Sequence, residues 1–251
     1  MKLNSKLVML ILGAGCFAII YGCVATRADD AYQRKRAEAR QRAAEPMPEA
    51  PNLTGVDQEI VRQGKILFNG KAVCFNCHGT NGDIRQVSNP AVLKLNPSPT
   101  DLREPSDKTT RQLELIIKYG IPETGMVAMQ ETLGLRDQDV TFLISYLLAL
   151  RGQARPLSAI HEELSTASTS AEIVIYKICD DQALGDTSMK DACEHRLQRR
   201  HHDILIGRPP DIPTARYAEI QTSCGEKFGN DLDDVTRCYR LEYGITRQRM
   251  R

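Results

Sequence analysis

The stretch "AVCFNCHGT", residues 72–80, sets two cysteines three positions apart with a histidine directly after the second. Cys74, Cys77 and His78 admit four readings: a zinc knuckle, a redox dithiol, a bare disulfide or chance match, and a covalent cofactor site. A structural zinc takes four ligands, and the nearest further cysteines downstream begin only at Cys179. A thioredoxin-like dithiol belongs in a βαβ setting, whereas this motif follows a helical pattern and precedes a proline-rich loop. Cys-x-x-Cys-His is also the pattern that attaches c-type haem. Cysteines three apart on a helical turn reach both vinyl groups, and the adjacent histidine then lies under the iron. Five residues are few enough to recur by chance, so the surroundings decide.

Upstream, "MKLNSK" supplies two lysines, and residues 7–26, "LVMLILGAGCFAIIYGCVAT", run without a charge. This is an export signal. Its length lies between a signal-peptide core and a membrane span of about 20 residues. Ile20-Tyr21-Gly22-Cys23 resembles a bacterial lipobox, which makes Cys23 a lipidation candidate; Cys16 is a poorer one. Lipidated anchor, uncleaved span and plain cleavage all stay open for residues 1–26. Export places the chain where disulfides persist, here the bacterial periplasm, and where haem is attached. Residues 27–54, rich in Ala, Arg and Glu and then in Pro46, Pro48 and Pro51, read as a tether with little apolar surface to pack.

From residue 55 the pattern is that of a folded domain. Val56, Ile60, Val61, Leu67 and Phe68 predict a helix ending at Asn69-Gly70. A second helix starts at Thr109 or Thr110 and stops at Gly120. A third runs from Asp137 through Val140, Leu143, Ile144 and Leu147 to Gly152. No strand pattern competes, so the fold class is all-α. Residues 55–152 hold 11 basic and 11 acidic residues and residues 153–251 hold 14 and 16. With a net charge of +1 for the whole chain, neither half offers the clustered basic face that nucleic-acid binding needs.

An iron held by His78 needs a sixth ligand, and "YGIPETGMVAMQ", residues 119–130, offers Met126 and Met129. A methionine inside a core helix would be filler. Here Gly120, Pro122 and Gly125 predict irregular backbone, which favours ligation. With "CFNCHGTNGD", "NPAVLKLNPSPTDL", "IIKYGIPETGMVAM" and "DQDVTFLISYLLALRG" in this order, residues 55–152 resemble a class I cytochrome c domain. The resemblance implies a cytochrome c-like helical fold with one covalent haem c. Met126 is then the iron ligand opposite His78, with Met129 the alternative, although Val127 stands where the family usually has proline. It also implies that the Pro90 carbonyl accepts the His78 Nδ1 hydrogen, ahead of Pro97 and Pro99.

Residues 153–251 contain an internal repeat: residues 171–200 and 218–249 each carry Ala-Glu-Ile, a cysteine, a glycine with nearby Asp, and a second cysteine after thirteen residues. Each unit reads as two helices turning near Gly185 or Gly229, with Asp186 or Asp231 capping the second. Thirteen intervening residues let two helices fold back, which predicts Cys179–Cys193 and Cys224–Cys238 disulfides in a small helical domain. His195, His201 and His202 lack a fourth convergent metal ligand and read as solvated helix residues.

A His/Met haem is six-coordinate and leaves no open position for substrate, and methionine raises the potential. The expected function is one-electron transfer between exported or membrane-bound redox proteins, with no catalytic residue of its own. The alternatives are a fixed subunit of a respiratory or dehydrogenase complex, and a haem peroxidase or sensor, for which no distal acid/base pair is visible.

Overall fold

The computed structural model describes Leu53 and residues 55–166, 169–229 and 231–250. The apolar segment with Cys16 and Cys23, and the tether up to Asn52, lie outside these residues. Among the described residues the chain is all-α, without strands, and no helix is long and apolar enough to cross a membrane.

The first half is built on α1 (Val56–Asn69), the single turn α2 (Phe75–His78), α3 (Thr110–Tyr119), α4 (Met129–Leu133) and α5 (Asp137–Leu150). Chain-encoded punctuation sets these limits. Thr109 accepts from the Gln112 amide while the Gln112 side chain accepts from the Thr109 amide, a reciprocal cap that starts α3. Gly120, at φ 80°, ends it in a conformation that a side chain would resist.

α1 and α5 cross at Gly64. A Cβ there would stand 2.0 Å from the Phe142 carbonyl oxygen and 2.7 Å from Tyr146 Cβ, so only glycine permits the approach. One turn on, the Phe68 and Tyr146 rings meet edge to face at 5.4 Å, an arrangement favoured by the ring quadrupoles. Val61, Leu143, Ile144 and Leu147 fill the rest of this cluster. Leu53, inside the predicted tether, is also buried in it. So is Ile160 from a further helix, α6 (Leu157–Ser165), which the sequence reading left without an element.

The second half folds as two hairpins, α7 (Ser170–Ala183) with α8 (Thr187–Arg200) and α10 (Thr214–Phe228) with α11 (Leu232–Arg249), joined by the short α9 (His202–Leu205). The repeat read correctly. Asp186 caps α8 by accepting from the Ser188 and Met189 amides, and Asp231 caps α11 by accepting from the Asp234 amide. Disulfides join Cys179 to Cys193 and Cys224 to Cys238. Each closes a loop of about 15 residues, worth about 3 kcal/mol in restricting the unfolded chain.

The two halves share α3. Leu113 and Ile117, four residues apart, enter the first apolar cluster, whereas Leu115 points away from them and is fully buried in the second beside Ile175, Leu205 and Ile220. A helix apolar on two faces is buried on both. The seam is also ionic. Arg111 donates to Glu172 at 2.6 Å and to the Tyr176 hydroxyl at 3.0 Å, and pairs with Glu114.

His195 is exposed, as expected, but His201 and His202 are each only 3% exposed, which corrects their reading as solvated residues. They sit where α8 breaks into α9, and the break turns both rings inward. His201 Nδ1 lies 3.0 Å from Thr236 Oγ1, and His202 Nε2 lies 2.6 Å from the Gly120 carbonyl. Burial lowers the pKa of both below the ordinary histidine value, against the pull of Asp233 on His201 and of the Gly120 carbonyl on His202. The folded state therefore binds fewer protons than the unfolded one. This contribution to stability is complete above the unfolded histidine pKa of about 6.5 and is lost as pH falls through the lower folded values. Urea midpoints should be flat from pH 7 to 8 and fall between pH 6.5 and 5, with a shallower fall in His202→Gln. A flat profile down to pH 5 would contradict the burial argument.

Candidate haem site

The motif forms a tight turn at the end of a short loop from α1. The His78 amide donates to the Cys74 carbonyl at 2.9 Å and the Gly79 amide to the Phe75 carbonyl at 3.0 Å, so Cys74, Cys77 and His78 share one helical turn. Val73, directly before it, has φ 46°. A β-branched residue is a genuine outlier there, and such strain costs about 1–3 kcal/mol. Gly79 closes the turn at φ 75°, where a Cβ would strike the Asp83 carbonyl oxygen at 1.8 Å.

Cys74 and Cys77 are free thiols, while the other four described cysteines are paired. Both are half-buried. Burial pushes the Cys74 thiol up to about 12, with the neighbouring Cys77 adding to the rise, so it carries its proton at neutral pH. Cys74 is therefore not poised as a reactive thiolate.

His78 Nδ1 lies 2.9 Å from the Thr100 carbonyl oxygen. A carbonyl only accepts, so Nδ1 carries the hydrogen and Nε2 holds the free lone pair. The expectation that Pro90 supplies this carbonyl is corrected. Pro90 instead begins a short 3-10 turn, Pro90–Lys94, whose start is capped by Asn89. Thr100 reaches the ring because its strand of loop is strapped to the turn after the motif. The Leu102 amide donates to the Gly82 carbonyl at 3.0 Å, and Arg103 bridges Asp83 and Asp101. Arg151 Nε holds the Leu102 carbonyl at 3.0 Å. The signal missed in the sequence was Asp101-Leu102-Arg103 answering Asp83-Ile84-Arg85.

Burial lowers the His78 pKa, opposed by the Thr100 carbonyl and Asp101, which leaves the ring neutral, the form that binds metals. Arg85 holds the Asp83 carboxyl well below the usual carboxylate range, and Arg103 does the same less strongly for Asp101.

Met126 lies in a loop folded back on Gly120. The Ile121 amide donates to the Met126 carbonyl at 2.8 Å, and the Met126 amide donates to Thr124 Oγ1 at 3.1 Å. Its neighbour Gly125 abuts Leu95: a Cβ there would stand 2.9 Å from the Leu95 side chain. The 90–95 and 121–128 loops therefore touch, and they present Leu93, Leu95 and Val127 with 42–49% exposure. Met129, two residues past Val127, begins α4 and packs against the first apolar cluster.

These residues fit a covalently held haem in their donor chemistry: two unpaired thiols on one turn and an imidazole with its outer nitrogen free, with a thioether in a separate loop that also leaves apolar side chains exposed. Phe75 and Cys74, facing the core, place the motif at the edge of the first apolar cluster. Tyr146, from the centre of α5, donates its hydroxyl to Asn81 Oδ1 at 2.9 Å and so ties the segment after the motif to the helix crossing. Set against known proteins, the chain matches no family model, no curated protein and no solved structure.

Proposed function

We propose that the chain is a one-electron carrier with a single covalent haem c, its iron ligated by His78 and Met126, of the class I cytochrome c kind. The observation that carries this reading is the motif turn itself: Cys74 and Cys77 stay unpaired beside a histidine whose Nδ1–H is fixed on the Thr100 carbonyl. Haem bound in this way supplies a reversible one-electron couple with no open position on the iron.

The chain's own residues do the rest. Cys74 and Cys77 would hold the group through thioether bonds, each made by addition of S–H across a vinyl group, which needs no oxidant. Thr100 fixes the ring plane of His78 and raises its basicity, and the Asp83–Arg103–Asp101 latch holds Thr100. The exposed Leu93, Leu95 and Val127 would be the apolar side chains available to exclude water from such a group. Met126 is preferred to Met129 because Met129 is engaged in core packing. The two disulfides support an oxidising compartment, in keeping with export to the periplasm, and the N-terminal segment would keep the carrier beside membrane-bound redox partners.

The test is the ferric spectrum of full-length protein made with a haem-attachment system. A low-spin spectrum with a methionine-to-iron charge-transfer band is expected. Met126→Leu should abolish the band and lower the potential, whereas Met129→Leu keeps it. A high-spin, peroxide-reactive resting state would sink the carrier reading and favour the peroxidase alternative.

A further inference from the structure

We infer that the disulfide-bonded second half is a clamp on the loop that carries Met126, with His202 and Arg247 as its positioning residues. The inference rests on the His78/Met126 reading and assigns to residues 153–251 a part in setting the iron's environment.

The loop is closed on itself by its own hydrogen bonds. Within it, the Thr124 hydroxyl donates to the Ile121 carbonyl at 2.8 Å, so the backbone of Met126 is tied through Thr124 to Ile121 and through its carbonyl to the Ile121 amide. Whatever holds Gly120, Ile121 and Glu123 therefore holds Met126. Glu123 sits at φ 60°, a left-handed conformation that a glutamate adopts only when its surroundings enforce it.

The second half supplies those surroundings at three points. His202, on α9, donates Nε2–H to the Gly120 carbonyl at 2.6 Å; the carbonyl accepts only, which fixes the proton on Nε2. Arg247, near the end of α11, donates to Glu123 at 2.5 Å and is itself aimed by Asp211 at 2.6 Å. Ile121 packs against the second apolar cluster, and the Tyr119 ring, one residue before Gly120, meets His202 edge to face at 5.7 Å. A cavity of about 140 Å³ follows this seam, with Ile121 and Glu123 on one side and Asp203, Tyr243 and Arg247 on the other.

The platform behind these contacts is stiff. His202 follows the C-terminal end of the hairpin closed by Cys179–Cys193, and Arg247 lies on the outgoing helix of the hairpin closed by Cys224–Cys238. Arg240 of α11 pairs with Asp203 of α9 at 2.5 Å, which couples the two anchor points. A thioether is a weak ligand on a short loop. Fixing the loop from outside keeps the sulfur in place through changes of iron charge and makes displacement by foreign ligands harder.

The clamp is tested on full-length, haem-loaded protein by titrating with imidazole, which takes the methionine position when the loop opens, and by amide exchange at Ile121 in both haem-loaded and haem-free protein. His202→Phe keeps the ring volume but strands a buried carbonyl; imidazole affinity and Ile121 exchange should each rise about tenfold. His202→Gln, which restores a donor, should return both to within about twofold of the parent. Glu123→Gln, at an exposed site where folding is safe, should raise both about threefold. If His202→Phe and Glu123→Gln both leave the two quantities at parental values, the clamp is wrong, even where the spectrum shows methionine ligation. If His202→Phe fails to fold, Glu123→Gln decides. Absence of the charge-transfer band from the parent would instead remove the His/Met reading, and exchange in the haem-free protein would still report whether His202 and Arg247 hold the loop.

Discussion

Changing Cys74 and Cys77 together to serine is expected to abolish covalent retention of the proposed haem. Parent protein, denatured and run on a gel, is expected to keep a haem-dependent peroxidase stain, and the double variant to lose it completely. Single variants should keep a weakened stain, because one thioether still anchors the group. The physical basis is the separation of cysteine roles in the fold. Four described cysteines are committed to disulfides within hairpins, and the two in the motif are unpaired on one turn next to His78. Serine preserves the size of each side chain and removes only sulfur's capacity for the thioether bond, so helix content should be unchanged. A stained double variant, or an unstained parent made with an active attachment system, would overturn the cofactor assignment.

The second large effect concerns folding. Gly64→Val should destabilise the chain by more than about 3 kcal/mol, read as a collapsed urea midpoint with loss of the Phe68–Tyr146 aromatic signal. Overpacking a core ordinarily costs about 1–3 kcal/mol because neighbouring side chains shift. At Gly64 the nearest atom is a backbone carbonyl oxygen of α5, 2.0 Å from the built Cβ, and backbone cannot swing aside as a side-chain tip can. The two helices would have to separate along the face that also carries Phe68 and Tyr146. Tyr146 holds Asn81, so the damage should pass to the motif turn, and haem attachment should fall with stability. A midpoint within the error of the parent would mean that the crossing is looser than described.

Much of this arrangement was legible in the sequence because it is local. Thr109, Gly120, Asp186 and Asp231 mark helix ends through bonds made within a few residues. The two Cys-x13-Cys units gave their own pairing, since the helical return brings each second cysteine back to the first. What escaped was the non-local part. Pro90 was the wrong carbonyl acceptor for the His78 ring because the choice depends on which stretch of the 89–102 loop is strapped down, and that is settled by the Asp83–Arg103 pair and the Leu102–Gly82 bond across the chain. His201 and His202 looked solvated within a basic run, "RRHH", whose burial follows from the α8–α9 break and from packing against α3. Leu115 was invisible as a second core because a single period of apolar residues points to a single face.

The shared helix also decides how separable this chain is. Cutting after Gly152 would leave Leu115 and Ile116 facing water and strip Arg111 of Glu172 and Tyr176, with Glu114 still beside it. A guanidinium arranged for a dry, crowded setting would then sit on an apolar stripe. The first half is thus no portable cartridge to be cut out and attached to another protein. An engineer wanting the first half alone would have to redesign α3 first, giving Leu115 and Ile116 polar replacements and Arg111 a new surface role.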